Sequence, residues 1–289
     1  RLGENGEEVL ALARRTRRDA ADRLVEVEDA SGRTLHDYDR RGRLVRSIGE
    51  GYAVYTTWDA GGNIIALDGA GWAPPRLTPD HRVTQVGPMT LAYDGWGRVL
   101  RREGPLIRTE LTWDAAGRLA CVRLRGRVIS YVYDAAGRLV GRRVGNQGQE
   151  MSHTFLWDGL RLIQEVTPNW RATYVYEPAP LGQQSYAPAA RLVQRRANSK
   201  MPWSAPEVQY LFLDAAGRVH AVVDGEGRRC AQGGVRPWGE PPGEPIADGV
   251  PPPGFAGQWS DPDTMLCWNG VRFYDPLTGR YMSPDRDAP

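Results

Sequence analysis

Nine times along this chain an aspartate is followed three residues later by glycine, at Asp29, Asp39, Asp59, Asp68, Asp94, Asp114, Asp134, Asp214 and Asp224. In seven of the nine, arginine comes next. The spacing is 20 residues from Asp39 to Asp59, from Asp94 to Asp114 and from Asp114 to Asp134, with steps of 10 from Asp29 to Asp39 and from Asp214 to Asp224. "RDAADRLV" at 18–25 fits the same frame with Asp22 in the glycine's place, a lenient exchange because aspartate tolerates a left-handed backbone better than most residues. Fixed-period self-similarity points to a repeat architecture before any other fold.

The spelling of each repeat is turn chemistry. In "YVYDAAGRLV" (131–140), the Asp134 carboxylate can accept a backbone N–H two residues on. Ala135 and Ala136 suit the corners of a type I turn, and Gly137 the φ > 0 position that closes a hairpin. Tyr131 and Tyr133 share one strand face and Val132 takes the other. The same reading makes Asp39 with Gly42, Asp94 with Gly97, Asp114 with Gly117, and Asp214 with Gly217 the structural turns of successive hairpins. One such unit cannot bury its own face, but units side by side can. The expected fold is therefore all-β, a long winding antiparallel sheet with an aromatic ladder stacked from turn to turn through cross-strand pairs.

Several function classes lose support on the same page. "WD" occurs at Trp58, Trp113 and Trp157, but the steps of 55 and 44 residues and the absence of a preceding Gly-His do not make a WD40 propeller. The formal net charge is +2, with arginine interleaved among acids, which argues against a nucleic-acid reader. Cys121, Cys230 and Cys267 form no CxxC pair and read as isolated thiols. His36, His81, His153 and His220 lack metal-ligand spacing and read as surface or strand positions. "DPDT" at 261–264 gathers too few oxygens for a calcium loop and reads as a turn. No phosphate loop or nucleophile elbow occurs, so neither a metal nor a cofactor is expected. No apolar run approaches the ~20 residues of a membrane span. Residue 1 is Arg, so the chain is read as an internal piece of a longer one.

Organisation follows composition. Residues 1–177 read as a repeat wall, 178–206 ("PAPLGQQSYAPAARLVQRRANSKMPWSAP") as an exposed insertion loop suited to partner contact, 207–235 as further hairpins, and 236–289 as a Pro-rich connector with an aromatic closing block.

The repeats "YDRRGRLV", "YDGWGRVL" and "YDAAGRLV" resemble the YD repeat of Rhs proteins, Tc toxin C components and teneurins. The closing block resembles the Rhs core segment: Phe255, Gly257 and Gln258 in "FAGQ", then Asp261, Thr264, Leu266, Asn269, Arg272, Tyr274, Asp275, Pro276, Gly279, Arg280, Tyr281 and "SPD" ending at Asp285. The resemblance implies a β shell or cocoon that encapsulates a C-terminal toxin in a secreted interbacterial effector, made in the bacterial cytoplasm and delivered by type VI-type secretion. It implies as partners the protein's own N-terminal shell sequence and a cleaved toxin held non-covalently, with a VgrG-like spike and a chaperone beyond them. It also places Asp285 as the first aspartate of a self-cleavage dyad. Arg286 follows it where that motif has proline, and the second aspartate would lie past Pro289, so this chain alone is expected to be no enzyme. The alternative is a surface YD-repeat module that recognises glycans or a neighbouring cell.

Overall fold

The computed structural model describes residues 15–29, 32–49, 52–68, 75–105, 107–145, 150–178, 185–213, 217–232, 254–255 and 257–285. Every regular element among them is a β-strand, and the described strands pair antiparallel. The chain divides into two compact units, 1–92 with 103–106, and 93–102 with 107–289.

In the first unit the strands from Arg15–Arg18 to Ile64–Asp68 form one sheet in chain order, each beside the next. In the second unit the strands from Arg108–Trp113 to Arg229–Gln232 run the same way. Chain-order neighbours are what short hairpin turns produce, since they leave no room for a crossover. A separate four-stranded sheet, Trp259–Ser260, Cys267–Asn269, Arg272–Asp275 and Arg280–Tyr281, closes the chain.

The turn between Arg108–Trp113 and Leu119–Leu124 shows how the spelling works. The Asp114 N–H donates to the Arg118 carbonyl at 2.9 Å, and the Gly117 N–H to the Asp114 carbonyl at 3.0 Å. Gly117 has φ 72°, which any Cβ would strain. The register shifts between Thr112 and Trp113, a bulge that re-aims the aromatic at the turn's mouth. Asp22 takes φ 61° where the D-x-x-G repeats have glycine.

Pairing assigns the faces of the second unit's sheet. Leu156, Gln164, Thr173, Leu192 and Val208 oppose one another across successive strands. Phe155, Glu165, Ala172 and Val193 form the adjacent row on the opposite face, and all four are buried. That buried face carries the closing sheet: Leu266, Trp268, Phe273 and Met282 are buried with it, and the Val99 N–H donates to the Met282 carbonyl at 2.9 Å.

The stretch 178–206, expected as an exposed loop, is not all loop. Pro188–Arg195 is a strand paired with both Trp170–Tyr176 and Glu207–Leu213. Arg191 and Val193 turn inward while Ala190 and Leu192 turn outward, an alternation that builds a strand, and Pro188 stands at the first position, where its missing N–H costs no ladder bond. Asn198–Met201 then form a turn.

Candidate functional site

The repeat unit is clamped by its own side chains. Asp39 Oδ1 accepts the N–H groups of Arg41 and Arg43, both at 2.9 Å, while Oδ2 takes the Arg43 Nε–H at 2.7 Å. The same pattern recurs at Asp94 with Arg98 and at Asp134 with Arg138. Charge-assisted hydrogen bonds of this kind hold the carboxylate ionised, and the backbone N–H and guanidinium of Arg43 keep the Asp39 carboxyl below its ordinary range.

Several clamps also reach the next repeat. Arg23 and Arg43 donate from Nη1 to the carbonyls of Asp39 and Asp59, 16 residues on. Their guanidiniums lie over the rings of Tyr38 and Trp58, 5.2 and 5.5 Å from the centroids. Those rings in turn donate backwards: Tyr38 Oη–H to the Leu24 carbonyl and Trp58 Nε1–H to the Leu44 carbonyl, 14 residues earlier. Trp113 and Tyr133 repeat this with Val99 and Leu119. Tyrosine and tryptophan interchange in the repeat because each brings an apolar body and one polar N–H or O–H donor. The ladder is thus arginine alternating with aromatic, where the sequence suggested ring on ring.

The closing sheet is fastened by charge buried against the wall. Arg142 and Asp261 are 2 % and 1 % exposed. Arg142 donates from Nε to Asp261 Oδ2 at 2.8 Å and from Nη2 to Oδ1 at 3.2 Å, and it also bonds Asp263. Tyr131 Oη–H donates to Asp261 at 2.8 Å, and the N–H groups of Asp263 and Thr264 cap Oδ1. Burial pushes the Asp261 carboxyl up, but the Arg142 charge and these hydrogen bonds outweigh it and hold the carboxyl below its usual value. A second pair joins Arg102 to Asp275, both fully buried, with Nε 3.0 Å from Oδ2 and Nη2 donating to Oδ1 at 3.1 Å. "DPDT" is therefore a turn whose first carboxylate is the anchor of the tail.

A third contact is proton-bearing. Trp259 Nε1–H donates to Glu165 Oε1 at 2.8 Å, and His153 Nε2 lies 3.3 Å from the same oxygen. Burial raises the Glu165 carboxyl to about 7, against the opposing pull of the Trp259 bond and the Arg191 charge. Burial, with the nearby Arg142 charge, lowers His153 to about 4. His153, read from sequence as a surface or strand position, is a buried strand residue facing the tail.

The remaining motif residues organise the tail itself. The Phe255 N–H donates to Gln258 Oε1 at 3.3 Å, and Gly257 adopts φ 81°. Asn269 Nδ2 donates to Tyr281 Oη at 2.6 Å, and Tyr274 pairs with Tyr281 while Asp275 pairs with Arg280. The Gly279 N–H donates to the Asp275 carbonyl at 2.8 Å. Among the repeat glycines, Gly42, Gly97, Gly137 and Gly217 have φ of 78, 78, 82 and 79°; Asp214 lies outside the described residues.

Asp285 sits on the rim of a cleft of about 590 Å³ that Trp96, Trp113, Asp114, Trp268 and Arg272 also line. Its carboxylate accepts from Arg272 Nη2 at 2.8 Å, and the Arg272 guanidinium lies 4.0 Å from the Tyr281 ring centroid. Asp114 shares the cleft, but its oxygens already hold the Arg118 backbone N–H and Nε–H at 2.8 and 2.7 Å. Burial pushes the Asp114 carboxyl up; the Arg118 bonds outweigh it and leave it below the ordinary range. Asp114 is therefore held as an ionised acceptor, whereas an acid–base dyad needs a carboxyl that keeps a shared proton near neutrality. Burial raises the Cys267 thiol to about 11, which leaves it a thiol rather than a nucleophilic thiolate.

Sequence reasoning missed Arg102, Arg142 and Glu165, and one turn. At Thr78 the hydroxyl replaces the aspartate, accepting the Arg82 N–H at 3.0 Å, and His81 takes φ 63° in the glycine's place. The x-Pro-Asp-x-Arg spelling in the gap between Asp59 and Asp94 was the available signal.

The family model for the teneurin YD-shell matches residues 17–288. The chain belongs to the teneurin YD-shell family. Among curated relatives, this YD-shell chain is 30 % identical to Double-stranded DNA deaminase toxin A of Burkholderia cenocepacia (strain H111), over 92 % of its own length and 20 % of the toxin's. It is 29 % identical to Probable deoxyribonuclease RhsA of Dickeya dadantii (strain 3937), over 71 % of its own length and 14 % of the relative's. The YD-shell chain thus spans a fifth or less of these two relatives. A crystal structure of TcdB2-TccC3 aligns with 94 % of this chain and 18 % of its own, at 14 % identity and a TM-score of 0.45.

Proposed function

We propose that this chain is a stretch of an Rhs-type shell that encloses a toxin borne elsewhere on the full-length protein. The observation that carries the reading is the two-faced sheet. One face is covered by the closing block through buried ion pairs. The other leaves Leu156, Val175, Val208, Tyr210 and Phe212 exposed as an apolar strip. Exposed apolar area concentrated on one face marks an interaction surface, and a non-native polypeptide is the occupant that uses such a strip without sequence readout. Two relatives named as toxins, of which this region is a minor fraction, support the same reading.

In this proposal the wall confines its cargo until delivery by a type VI-type route to a competing cell. Asp285 supplies one carboxylate of a self-cleavage pair whose partner lies downstream. The test is denaturing intact-mass measurement of the full-length protein purified under native conditions. Cleaved cargo appears as a second polypeptide starting beyond Pro289 that co-elutes with the shell, and Asp285→Asn leaves the two joined. A full-length protein that elutes with no associated downstream fragment, and whose downstream region is open to added protease, would falsify confinement.

A further inference from the structure

We propose that the hairpin end around Trp203 docks an acidic, apolar segment of the enclosed polypeptide, whose carboxylates complete a unit this fold elsewhere builds from its own residues. The guanidiniums of Arg23, Arg43, Arg98, Arg118, Arg161 and Arg272 each lie over an aromatic ring. Each of them also bonds an aspartate carboxylate. Trp203 carries two such guanidiniums, Arg171 at 4.9 Å and Arg196 at 4.0 Å from its ring centroid. Neither bonds a carboxylate among the described residues. This docking rests on the exposed apolar strip being the cargo face, and it specifies the chemistry of the cargo.

Neutral acceptors hold both cations in place. Arg171 donates from Nε to Gln194 Oε1 at 2.9 Å. Arg196 donates from Nε to the Pro168 carbonyl at 2.8 Å and from Nη1 to the Ser199 carbonyl at 3.3 Å, and its backbone N–H to the Asn169 carbonyl at 2.8 Å. At 4.9 and 4.0 Å from one centroid, the two cationic carbons stand no more than about 9 Å apart, within about a screening length at physiological salt. Lys200, the only lysine in the 289 residues, follows Ser199 in the same turn and has no ion pair among the described residues. Glu207, the acid nearest in sequence to Trp203, is taken by Arg195 at 2.6 Å. Three cations thus converge where the fold supplies no carboxylate of its own.

Strand register shows what kind of molecule brings one. Arg171 opposes Gln194, Thr173 opposes Leu192 and Val175 opposes Ala190, all on the face opposite buried Ala172 and Tyr174. Val208 and Tyr210 continue the last two rows on the next strand, and Val175, Val208 and Tyr210 are exposed. The cationic end and Val175 lie four strand residues apart, about 13 Å. A ligand to match carries carboxylates with bulky apolar side chains within about four extended residues of them, which a polypeptide supplies. Single-stranded nucleic acid fits less well, because its bases need an open ring face and the ring among these cations already carries guanidiniums.

The experiment is zero-length carbodiimide coupling of the full-length protein, with the amide formed at Lys200 identified by peptide mass spectrometry. Lys200 is expected to couple to an aspartate or glutamate downstream of Pro289. Arg171→Gln with Arg196→Gln is expected to cut that yield by about fivefold or more. Raising salt from about 0.05 to 0.5 M is expected to lower it in the unaltered protein. No coupling at Lys200, coupling only to acids within residues 1–289, or a yield unmoved by salt or by the double variant overturns the docking. A downstream fragment that still co-elutes in those cases leaves confinement standing, whereas its absence removes confinement and the docking together. Protection of Lys200 by an oligothymidylate, with no amide formed, overturns the proposal and reassigns the cations to phosphate.

Discussion

The indole of Trp259 donates 2.8 Å to the carboxyl of Glu165, 94 residues earlier, and His153 approaches the same oxygen from the wall. One buried oxygen therefore ties the closing sheet to two wall strands, and its protonation is linked to stability.

The two groups impose opposite slopes on pH. Glu165, raised from 4.5 to about 7, binds its proton more tightly folded than unfolded; its contribution is complete below pH 4.5 and lost as pH rises through about 7. His153, lowered from 6.5 to about 4, contributes fully above pH 6.5 and loses that as pH falls through about 4. Between pH 4.5 and 6.5 the slopes oppose. His153→Gln is expected to melt progressively lower as pH rises over that window, and Glu165→Gln progressively lower as pH falls. Each separation is on the order of 1–3 kcal/mol. Thermal midpoints of the two variants from pH 4 to 8 check the signs, and parallel curves would remove the linkage.

Breaking one buried ion pair by halves costs more than removing both halves. Arg102→Met leaves Asp275 charged in a site with no exposure and is expected to destabilise by about 3–5 kcal/mol. Arg102→Met with Asp275→Asn recovers a large part of that loss, because no unpaired charge stays behind. Thermal melting followed by tryptophan fluorescence compares the three proteins.

The repeat's leading aromatic is needed for its donor as much as for its ring. Tyr38→Phe keeps the ring under Arg23 but abandons the Leu24 carbonyl, at about 1 kcal/mol. Tyr38→Trp keeps a donor, as Trp58 does one repeat later, and is expected to cost about half as much or less. Equal losses in the two variants would show that ring contact alone matters.

At Gly117 nothing lies within 4 Å of where a Cβ would stand, and φ is 72°. The penalty for Gly117→Ala is then backbone strain alone, about 1 kcal/mol. Gly117→Asn is expected to lose less, since asparagine visits this region readily. Melting midpoints of the pair decide it, and hydrogen exchange at Asp114 and Arg118 localises the effect.

The hairpins were legible in the chain because turn chemistry is local: Asp114, Gly117 and Arg118 lie within five consecutive positions. The clasp was not. Arg102 meets Asp275 across 173 residues and Arg142 meets Asp261 across 119, and among 37 basic residues a buried arginine is spelled like an exposed one. "RLVQRR" was hidden by the prolines and alanines before it, although Arg191 and Val193 already alternate inward. The tail motif showed which residues recur together, but their partners lie on wall strands that carry no motif.

The guanidinium staples from Arg23, Arg43 and Arg118 reach forward along the chain. Arg23 waits for the carbonyl of Asp39 and the ring of Tyr38, and Arg43 for those of Asp59 and Trp58. A turn is therefore complete only once the following turn exists. During synthesis, each course would leave the ribosome with its guanidinium unspent and find its partner about 15 residues later, within seconds at ordinary elongation speeds of roughly 5–20 residues per second. Such a wall has a growing end and a finished end. The closing sheet, locked by Arg102 and Arg142 onto strands in mid-wall, can seat only after those courses are laid.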